Sequence, residues 1–143
     1  MSYFAKVTDA TSLGMHAMVF LAANPDSTFT TGEIASVLHA SKAHLSKVLQ
    51  RLARAGLVKS VSGPGGGYTP GIPPGGISLL MIYETIDGPF APDDCLLSVR
   101  ICGGKKCIFG GLLKDFNKQV RDYFKRTKLS DLTHIFRRKA VND

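Results

Sequence analysis

Residues 41–70 read SKAHLSKVLQRLARAGLVKSVSGPGGGYTP and contain two consecutive structural signals. The first is a helix, since Ser41 can cap its start and Gly56 lies where a helix favours a left-handed end. Its inward face consists of four apolar residues at helical spacing: Leu45, Val48, Leu49 and Leu52. The second is a β-hairpin, because residues 57–61 alternate as a strand does and residues 63–67 form a glycine-rich turn. We therefore expect a helix that leads directly into a hairpin.

A shorter helix precedes this one. Residues 30–33 read TTGE, which resembles a capping box, and Ile34, Val37 and Leu38 supply an apolar stripe. Two helices joined by a short turn and followed by a hairpin are the pattern of a winged helix-turn-helix. The sequence thus predicts a mainly α fold with a small β-hairpin wing, in which residues 41–55 form the recognition helix.

Further helices are expected on both sides of this unit. Residues 13–22 (LGMHAMVFLA) are apolar nearly all round and indicate a buried or interface helix. Ser78 can cap a helix over residues 79–86. In residues 112–124 apolar residues recur at threes and fours, which predicts one long amphipathic helix of roughly 15 to 18 residues. Its apolar stripe needs a partner, either the body of the protein or a second copy of the helix.

Positive charge is unopposed by negative charge in the recognition helix and the hairpin. The chain of 143 residues carries 18 Lys+Arg against 11 Asp+Glu, a formal net charge of +7. The interval between Glu33 and Glu84 holds no acidic residue, and its basic residues are Lys42, Lys47, Arg51, Arg54 and Lys59. Such unopposed charge favours a polyanion. A solvated helix face is the alternative, but it does not explain why a wing hairpin follows directly.

The residues that we expect to contact double-stranded DNA lie on the outer face of the recognition helix and in the hairpin. Lys and Arg there would neutralise phosphates, and side chains near the helix start would read base edges. Loss of Arg51 or Arg54 is then expected to weaken binding to all sequences and to flatten the salt dependence. The full set is Ser41, Lys42, His44, Ser46, Lys47, Gln50, Arg51, Arg54, Lys59, Gly65, Gly66 and Tyr68.

Three cysteines lie close together in the loop-rich segment after the hairpin domain. Cys95, Cys102 and Cys107 have the spacing C-x6-C-x4-C. The paired C-x2-C motifs of a structural zinc finger are absent. Three thiols on one loop can ligate a metal or an iron–sulfur cluster, can serve as a redox switch, or can be incidental. A cluster would need a fourth ligand from elsewhere.

Several classes of protein are excluded by what the sequence lacks. A length of 143 residues leaves no room for a large multi-domain enzyme. No apolar run approaches the ~20 residues that cross a bilayer, and residues 1–9 show no secretory signal, so we expect a cytoplasmic protein. The glycine-rich turn is not a P-loop, because Tyr68 and Thr69 stand where Lys and Ser/Thr are needed. No Ser/His/Asp set or paired carboxylate points to an enzyme.

Together these segments resemble the Rrf-two family of bacterial winged-helix transcription regulators. The similarity covers nearly the whole chain, and the run from GLV to GPGGGY is its most specific part. The matching segments are residues 33–35 (EIA), Ser41 with Leu45, residues 55–58 (AGLV), residues 63–68 (GPGGGY), Pro73–Pro74, residues 77–79 (ISL), the three-cysteine loop and residues 129–132 (LSDL).

The resemblance implies a homodimer that binds a near-palindromic operator with half-sites ~34 Å apart or a multiple of that distance. It divides the chain into a DNA-binding domain at residues 1–88, a sensor loop at residues 89–111, and a dimerisation helix with a C-terminal tail at residues 112–143. The interface residues of that helix would be Leu113, Phe116, Val120 and Tyr123.

Many members of the family hold a 2Fe–2S or 4Fe–4S cluster, so the resemblance makes Cys95, Cys102 and Cys107 its ligands. Cluster state would then shift DNA affinity in response to iron, nitric oxide or redox stress. Matching residues 13–22 to the first helix of the family makes His16 the candidate fourth ligand, with Asp9 as the second choice. The alternative is a cluster-free regulator of the same fold that senses a small molecule, a partner enzyme or thiol oxidation.

The sequence departs from its relatives at three points. Gly110 stands where some relatives have a histidine ligand, and Ser46 stands where several have a glutamate in the recognition helix. The four residues between the last two cysteines replace the usual five. The operator of those relatives is therefore not transferred to this chain.

Overall fold

The computed structural model describes residues 6–92, 95–97, 99, 101–102 and 107–136. Its order confirms a mainly α fold with a two-stranded wing. The helices and strands are α1 (Asp9–Ala23), α2 (Thr31–Leu38), α3 (Lys42–Arg54), β1 (Val58–Val61), β2 (Gly67–Pro70), α4 (Leu79–Asp87) and α5 (Leu112–Arg126). Short 3-10 turns lie at Pro74–Gly76, Leu129–Asp131 and Thr133–Ile135.

Side-chain caps set the starts of α1, α2, α3 and α4, whereas α5 begins after Gly111 without one. The capping box of α2 is present, since the Glu33 amide donates to the Thr30 hydroxyl and the Thr30 amide donates to the Glu33 carboxylate. Ser41 and Ser78 accept from the third residue after them and start α3 and α4 as predicted. Thr8 caps α1 in the same way. The starts of these four helices therefore follow from local chemistry.

Helix α1 lies at the centre of the hydrophobic core, as its almost entirely apolar sequence predicts. The core extends to the C-terminal part of the chain, because Phe124 of α5 and Leu129 join the same cluster. Its largest fully buried apolar side chains are Met18, Leu21, Ile34, Leu45, Leu49, Leu52, Ile77, Ile82 and Leu129. Because residues of both ends share one core, the division into a DNA-binding domain (residues 1–88), a sensor loop (89–111) and a dimerisation helix with its tail (112–143) stays a prediction about the roles of these segments. Along the described part of the chain, no helix has the length and apolar character that crossing a bilayer requires.

The wing is attached to the loop between α1 and α2. Strands β1 and β2 pair antiparallel from Val58 opposite Pro70 to Val61 opposite Gly67. The Tyr68 amide donates to the Phe29 carbonyl at 2.8 Å, and the Phe29 amide donates to the Tyr68 carbonyl at 3.1 Å. A two-stranded hairpin alone is marginal in water, so the bridge at Phe29 stabilises the base of the wing.

Candidate DNA interface and cysteine pocket

Helix α3 presents one exposed stripe opposite its buried face. Leu45, Val48, Leu49 and Leu52 are buried in the core. At 100° per residue, the opposite side of the helix carries Ala43, Lys47, Gln50 and Arg54, and all four are exposed. We call these four residues the outer stripe. It contains two cations and one amide side chain, which suit phosphates and base edges respectively.

The other recognition-helix candidates flank the outer stripe. Ser41 and Lys42 are exposed at the start of the helix, and Ser46 is half-buried on the same side as Lys42. His44 and Arg51 lie on the opposite flank, where they line a small cavity of about 170 Å³ together with Ala10 of α1 and Ile86 of α4. The structure thus brings the candidates onto one exposed side of α3 but turns two of them towards neighbouring helices.

Arg51 forms a hydrogen bond within the chain that no sequence pattern indicates. Its Nη1 donates to the carbonyl oxygen of Ile86 at 2.8 Å. Arg54, one turn onward, is exposed on the outer stripe. Both arginines, for which the sequence predicts one shared role, are exposed and line one cavity with Ala55 and Thr85, and the bond to Ile86 is what distinguishes Arg51.

The wing candidates also differ from one another. Lys59 and Gly65 are exposed. A Cβ at Gly66 would overlap the Val61 carbonyl oxygen, and a Cβ at Gly67 would come within 2.5 Å of the Phe29 backbone. Tyr68 is half-buried and packs against the core. Gly66 and Tyr68 thus have structural reasons to be present, whereas Lys59 and Gly65 are open to a ligand.

The three cysteines line one apolar cavity of about 460 Å³. Cys95 and Cys102 are half-buried, Cys107 is exposed, and no disulfide joins any of the three. The Leu97 amide lies 3.4 Å from the Sγ of Cys95, and the Phe109 amide lies 3.4 Å from the Sγ of Cys107. The other walls of this cysteine pocket are Leu96, Leu97, Ile101, Ile108 and Phe109. The cysteines, which span a stretch from Cys95 to Cys107 in sequence, are therefore brought to one site.

The chemistry of the cysteine pocket fits an iron–sulfur cluster. Thiolates are the usual ligands of such clusters, and amide donors to sulfur and an apolar shell are the features that tune them. Within the described ranges, however, no three His, Cys, Asp or Glu side chains are placed to hold one metal ion together. The donor set of the cysteine pocket thus suits a cluster.

The candidate fourth ligands lie on a different surface. Asp9 and His16 line a shallow cavity of about 300 Å³ along α1 with Ser12, Leu13 and Leu38, and no residue is common to this cavity and the cysteine pocket. His16 is exposed, and its Nδ1 lies 2.6 Å from the Ser12 carbonyl oxygen. Because a carbonyl can only accept, Nδ1 carries the proton in this contact. Nε2 is then the nitrogen available to a metal.

Helix α5 has an inner and an outer apolar stripe. Leu113 and Phe124 are buried within the chain, and Val120 packs against the core. Leu112 is 61% exposed and Tyr123 is 45% exposed, with half-buried Phe116 between them on the same side of the helix. Of the four predicted interface residues, Phe116 and Tyr123 therefore face outward, whereas Leu113 and Val120 face the body of the protein. Leu112 belongs to the same apolar spacing and is exposed, although it is not among the predicted interface residues.

Two hydrogen-bonded clusters lie beyond the reach of local sequence signals. The carboxylate of Asp87 accepts from the hydroxyls of Thr8 and Thr11, the latter at 2.7 Å. These bonds tie the end of α4 to the start of α1. They join residues 76 and 79 positions apart, so no periodicity or cap indicated them.

The second cluster holds Phe90, where the chain leaves α4 towards the cysteines. Phe90 is buried against the rings of Tyr83 and Phe124. Its amide donates to the Glu84 carboxylate at 2.9 Å, and its carbonyl accepts from Arg121 at 3.3 Å. Burial raises the pKa of Tyr83, and the negative charges of Asp87 and Glu84 raise it further. The start of the cysteine loop is thereby fixed to both α4 and α5.

The known proteins to which this chain is similar are transcription regulators. The model of the Rrf2 family, described as an iron-dependent transcriptional regulator, matches residues 7–135. A protein of Aquifex aeolicus (strain VF5) that is named as an HTH-type transcriptional regulator is 30% identical over 131 residues, which cover 90% of this chain and 91% of that protein. IscR of Aliivibrio salmonicida (strain LFI1238) is 30% identical over 92 residues, which are 64% of this chain and 55% of that IscR.

The fold is also found among solved structures. CymR (YrzC), the global cysteine regulator of B. subtilis, superimposes with a TM-score of 0.77 at 26% identity, over 92% of this chain and 98% of CymR. These relatives are transcription regulators and not enzymes.

Proposed function

This chain belongs to the Rrf2 (Rrf-two) family of DNA-binding transcription regulators, and we propose that it acts as a homodimer whose DNA affinity follows an iron–sulfur cluster on Cys95, Cys102 and Cys107. The observation that carries the proposal is the cysteine pocket, in which all three thiols of the chain line one apolar cavity. The signal would then be read in the cytoplasm, where bacterial regulators meet DNA and where thiols stay reduced.

The DNA would be bound by α3 and the wing. Lys42, Lys47 and Arg54 of α3 and Lys59 of β1 are exposed cations that can neutralise phosphates. Gln50 suits a bidentate contact to adenine, and Lys47 suits a contact to guanine. Two copies related by a twofold axis would place their α3 helices in successive major grooves of a near-palindromic site, ~34 Å apart or a multiple of it.

The donor set of the cysteine pocket supports the fit to a cluster. The three thiols would hold it, and the cluster would supply a group that responds to iron supply, nitric oxide and oxidants. His16 through Nε2, or else Asp9, would complete the ligand set. Since the α1 cavity and the cysteine pocket are separate in one chain, this ligand would be His16 of the partner subunit.

Signal transfer would run through the two ends of the cysteine loop. Phe90 fixes the first end to Glu84 of α4 and to Arg121 of α5. The second end runs through Gly111 into α5, whose exposed residues are the proposed dimer contact. A change in the loop would therefore reach both the DNA-binding body and the subunit interface.

A second candidate function has its own support. The cysteine pocket has the volume and apolar lining of a small-molecule site, and the thiol of Cys107 is exposed to oxidants. A cluster-free regulator of the same fold could use either feature to sense a small molecule, a partner enzyme or thiol oxidation.

Protein purified without oxygen tests these candidates. We expect a coloured protein with iron matched by sulfide, and a C95A/C102A/C107A variant without either. The wild-type protein is then used to enrich duplex DNA from a random-sequence pool. Its affinity for the enriched duplex should change on exposure to air or nitric oxide. Binding by the triple variant should not change.

Matched variants refine the result. H16A and D9N identify the fourth ligand by loss of iron, with H134A as the control, since His134 is an exposed histidine that lines neither cavity. A colourless, iron-free protein that cannot be reconstituted would contradict the cluster and leave the thiol or small-molecule candidate. Failure to enrich any duplex over unrelated competitor DNA would contradict DNA binding itself.

A further inference from the structure

Helices α1, α3 and α4 meet closely at one point. A Cβ at Gly14 of α1 would overlap the side chain of Ile86 of α4 and come within 3.2 Å of Val48 of α3. Ile86 is itself buried, at 5% exposure. The recognition helix is therefore seated directly on the last turn of α4.

Arg51 closes this junction from the α3 side. Its Nη1 donates at 2.8 Å to the carbonyl of Ile86, one of the last four carbonyls of α4, which a helix leaves without an internal partner. A guanidinium is also favoured at this position because the carboxyl end of a helix carries partial negative charge. If α4 continued, the amide of Phe90 would be the helical partner of this carbonyl, but it donates to the Glu84 carboxylate instead.

Asp87 closes the same junction from the α1 side. Its carboxylate accepts from Thr11 at 2.7 Å and from Thr8 at 3.0 Å. The end of α4 is thus held by α1 through side chains and holds α3 through Arg51. These contacts connect α1 to α3 through the end of α4, in addition to the buried apolar face of α3.

We infer that Arg51 is a positioning residue, which sets the angle of the recognition helix through the Ile86 carbonyl and does not take a DNA phosphate. The inference rests on the proposed DNA binding. It separates Arg51 from Arg54, although the sequence predicts that the two act alike. Arg54 lies on the outer stripe and is the phosphate contact of the pair.

The experiment compares R51M with R54M. Each substitution removes the guanidinium and keeps an unbranched apolar stem. Affinities are measured for two duplexes of equal length, one enriched by the wild-type protein from a random-sequence pool and one with the same bases scrambled. Both are measured across a series of salt concentrations, since each lost phosphate contact makes the slope of log K against log salt shallower by about 0.9.

For R51M we expect roughly tenfold weaker binding to the enriched duplex, unchanged binding to the scrambled duplex, and an unchanged salt slope. A misplaced helix loses base contacts and keeps its cations. For R54M we expect both duplexes to bind more weakly and the salt slope to become shallower by about 0.9 per protomer. A merely destabilised fold would reduce the active fraction equally for the two duplexes and would leave their affinity ratio at the wild-type value.

Two results would overturn the inference. One is a shallower slope for R51M with equal losses on both duplexes, which would make Arg51 a phosphate contact. The other is an R51M protein with the affinities and slope of wild type. R51Q, whose shorter neutral side chain also loses the Ile86 carbonyl, replaces R51M should that variant not fold. If the wild-type protein enriches no duplex, DNA binding has failed before any variant is made, and the inference falls with it.

Discussion

Gly14 shows how one missing side chain can decide the packing of three helices. The residue is buried in the middle of α1, where glycine costs about 1 kcal/mol relative to alanine. The cost is offset because the bare backbone lets Ile86 and Val48 approach α1. The close seat of α3 on α4 therefore begins with a residue that has no chemistry of its own.

We expect Gly14→Val to lower the free energy of unfolding by about 2 kcal/mol or more, since the added methyl groups must displace Ile86 and Val48 in a filled core. Urea unfolding at neutral pH measures the change. Gly32→Ala is the matched control, because an added Cβ there meets only side-chain atoms of Lys42 and Thr30, at 3.9 Å or more. That variant should be neutral or slightly more stable, and an equally destabilised G32A would contradict the packing argument.

At single residues, prediction from sequence succeeded for contacts within one turn of a helix. Thr30, Ser41 and Ser78 cap the helices that follow them because the cap and the amides that it serves are three positions apart. Arg51 and Ile86 are 35 positions apart, and only the folded chain brings them together. The role of Arg51 could not be read from α3 alone.

Among the elements, α2 has the most local source of stability. It is short, at eight residues, and both arms of its capping box are made. Hydrogen bonds from Thr30, first from its backbone and second from its side chain, lower the pKa of Glu33. A carboxyl with a lowered folded pKa stabilises the fold above the unfolded value, about 4.3 for Glu. That contribution is lost as the pH falls through the folded value.

We therefore expect wild type to exceed the Glu33→Gln variant in unfolding free energy at pH 7, and the difference to be smaller at pH 3. As the pH falls, a growing fraction of the Glu33 side chains is protonated and carries no charge, like the amide that replaces it in the variant. Urea unfolding of both proteins at the two pH values provides the measurement. A difference that stays constant between them would show that the charge of Glu33 does not support α2.

The prediction of α5 illustrates what periodicity can and cannot provide. The spacing of apolar residues predicted a helix of the length that is observed, Leu112–Arg126. It did not divide the apolar residues between the core and the outside. Leu112 and Leu113 are adjacent in sequence and differ from 61% to 8% in exposure, because the rest of the domain covers only one side of the helix.

At the scale of the whole molecule, exposed apolar residues occur in the cysteine loop as well as on the outer side of α5. Ile101 is 82% exposed and Ile108 is 93% exposed. Exposed apolar surface of this kind marks interaction sites. We expect the proposed homodimer to cover it, which would shield the cysteine pocket and the outer apolar stripe of α5 together.

Leu112→Asp should therefore weaken dimerisation by about tenfold or more and leave the fold of each protomer intact, because a buried unpaired charge is costly only at the interface. Leu113→Ala should instead lower the unfolding free energy by about 2 kcal/mol or more while the protein stays dimeric. Light scattering after size exclusion and thermal unfolding distinguish the two. An L112D protein that dimerises as tightly as wild type would contradict the proposed interface.

The bridge between Phe29 and Tyr68 has a consequence for building chimaeras of this protein with its relatives. The Thr28 hydroxyl also donates to the Gly65 carbonyl at 2.7 Å, across 37 positions of sequence. The tip and the base of the wing are therefore both hydrogen-bonded to the same upstream segment. The hairpin is thus not a cassette that can be transplanted by itself. A graft of residues 57–71 would keep these hydrogen bonds only if residues 27–30 were transferred as well. The smallest exchangeable unit therefore consists of two separate segments of the chain.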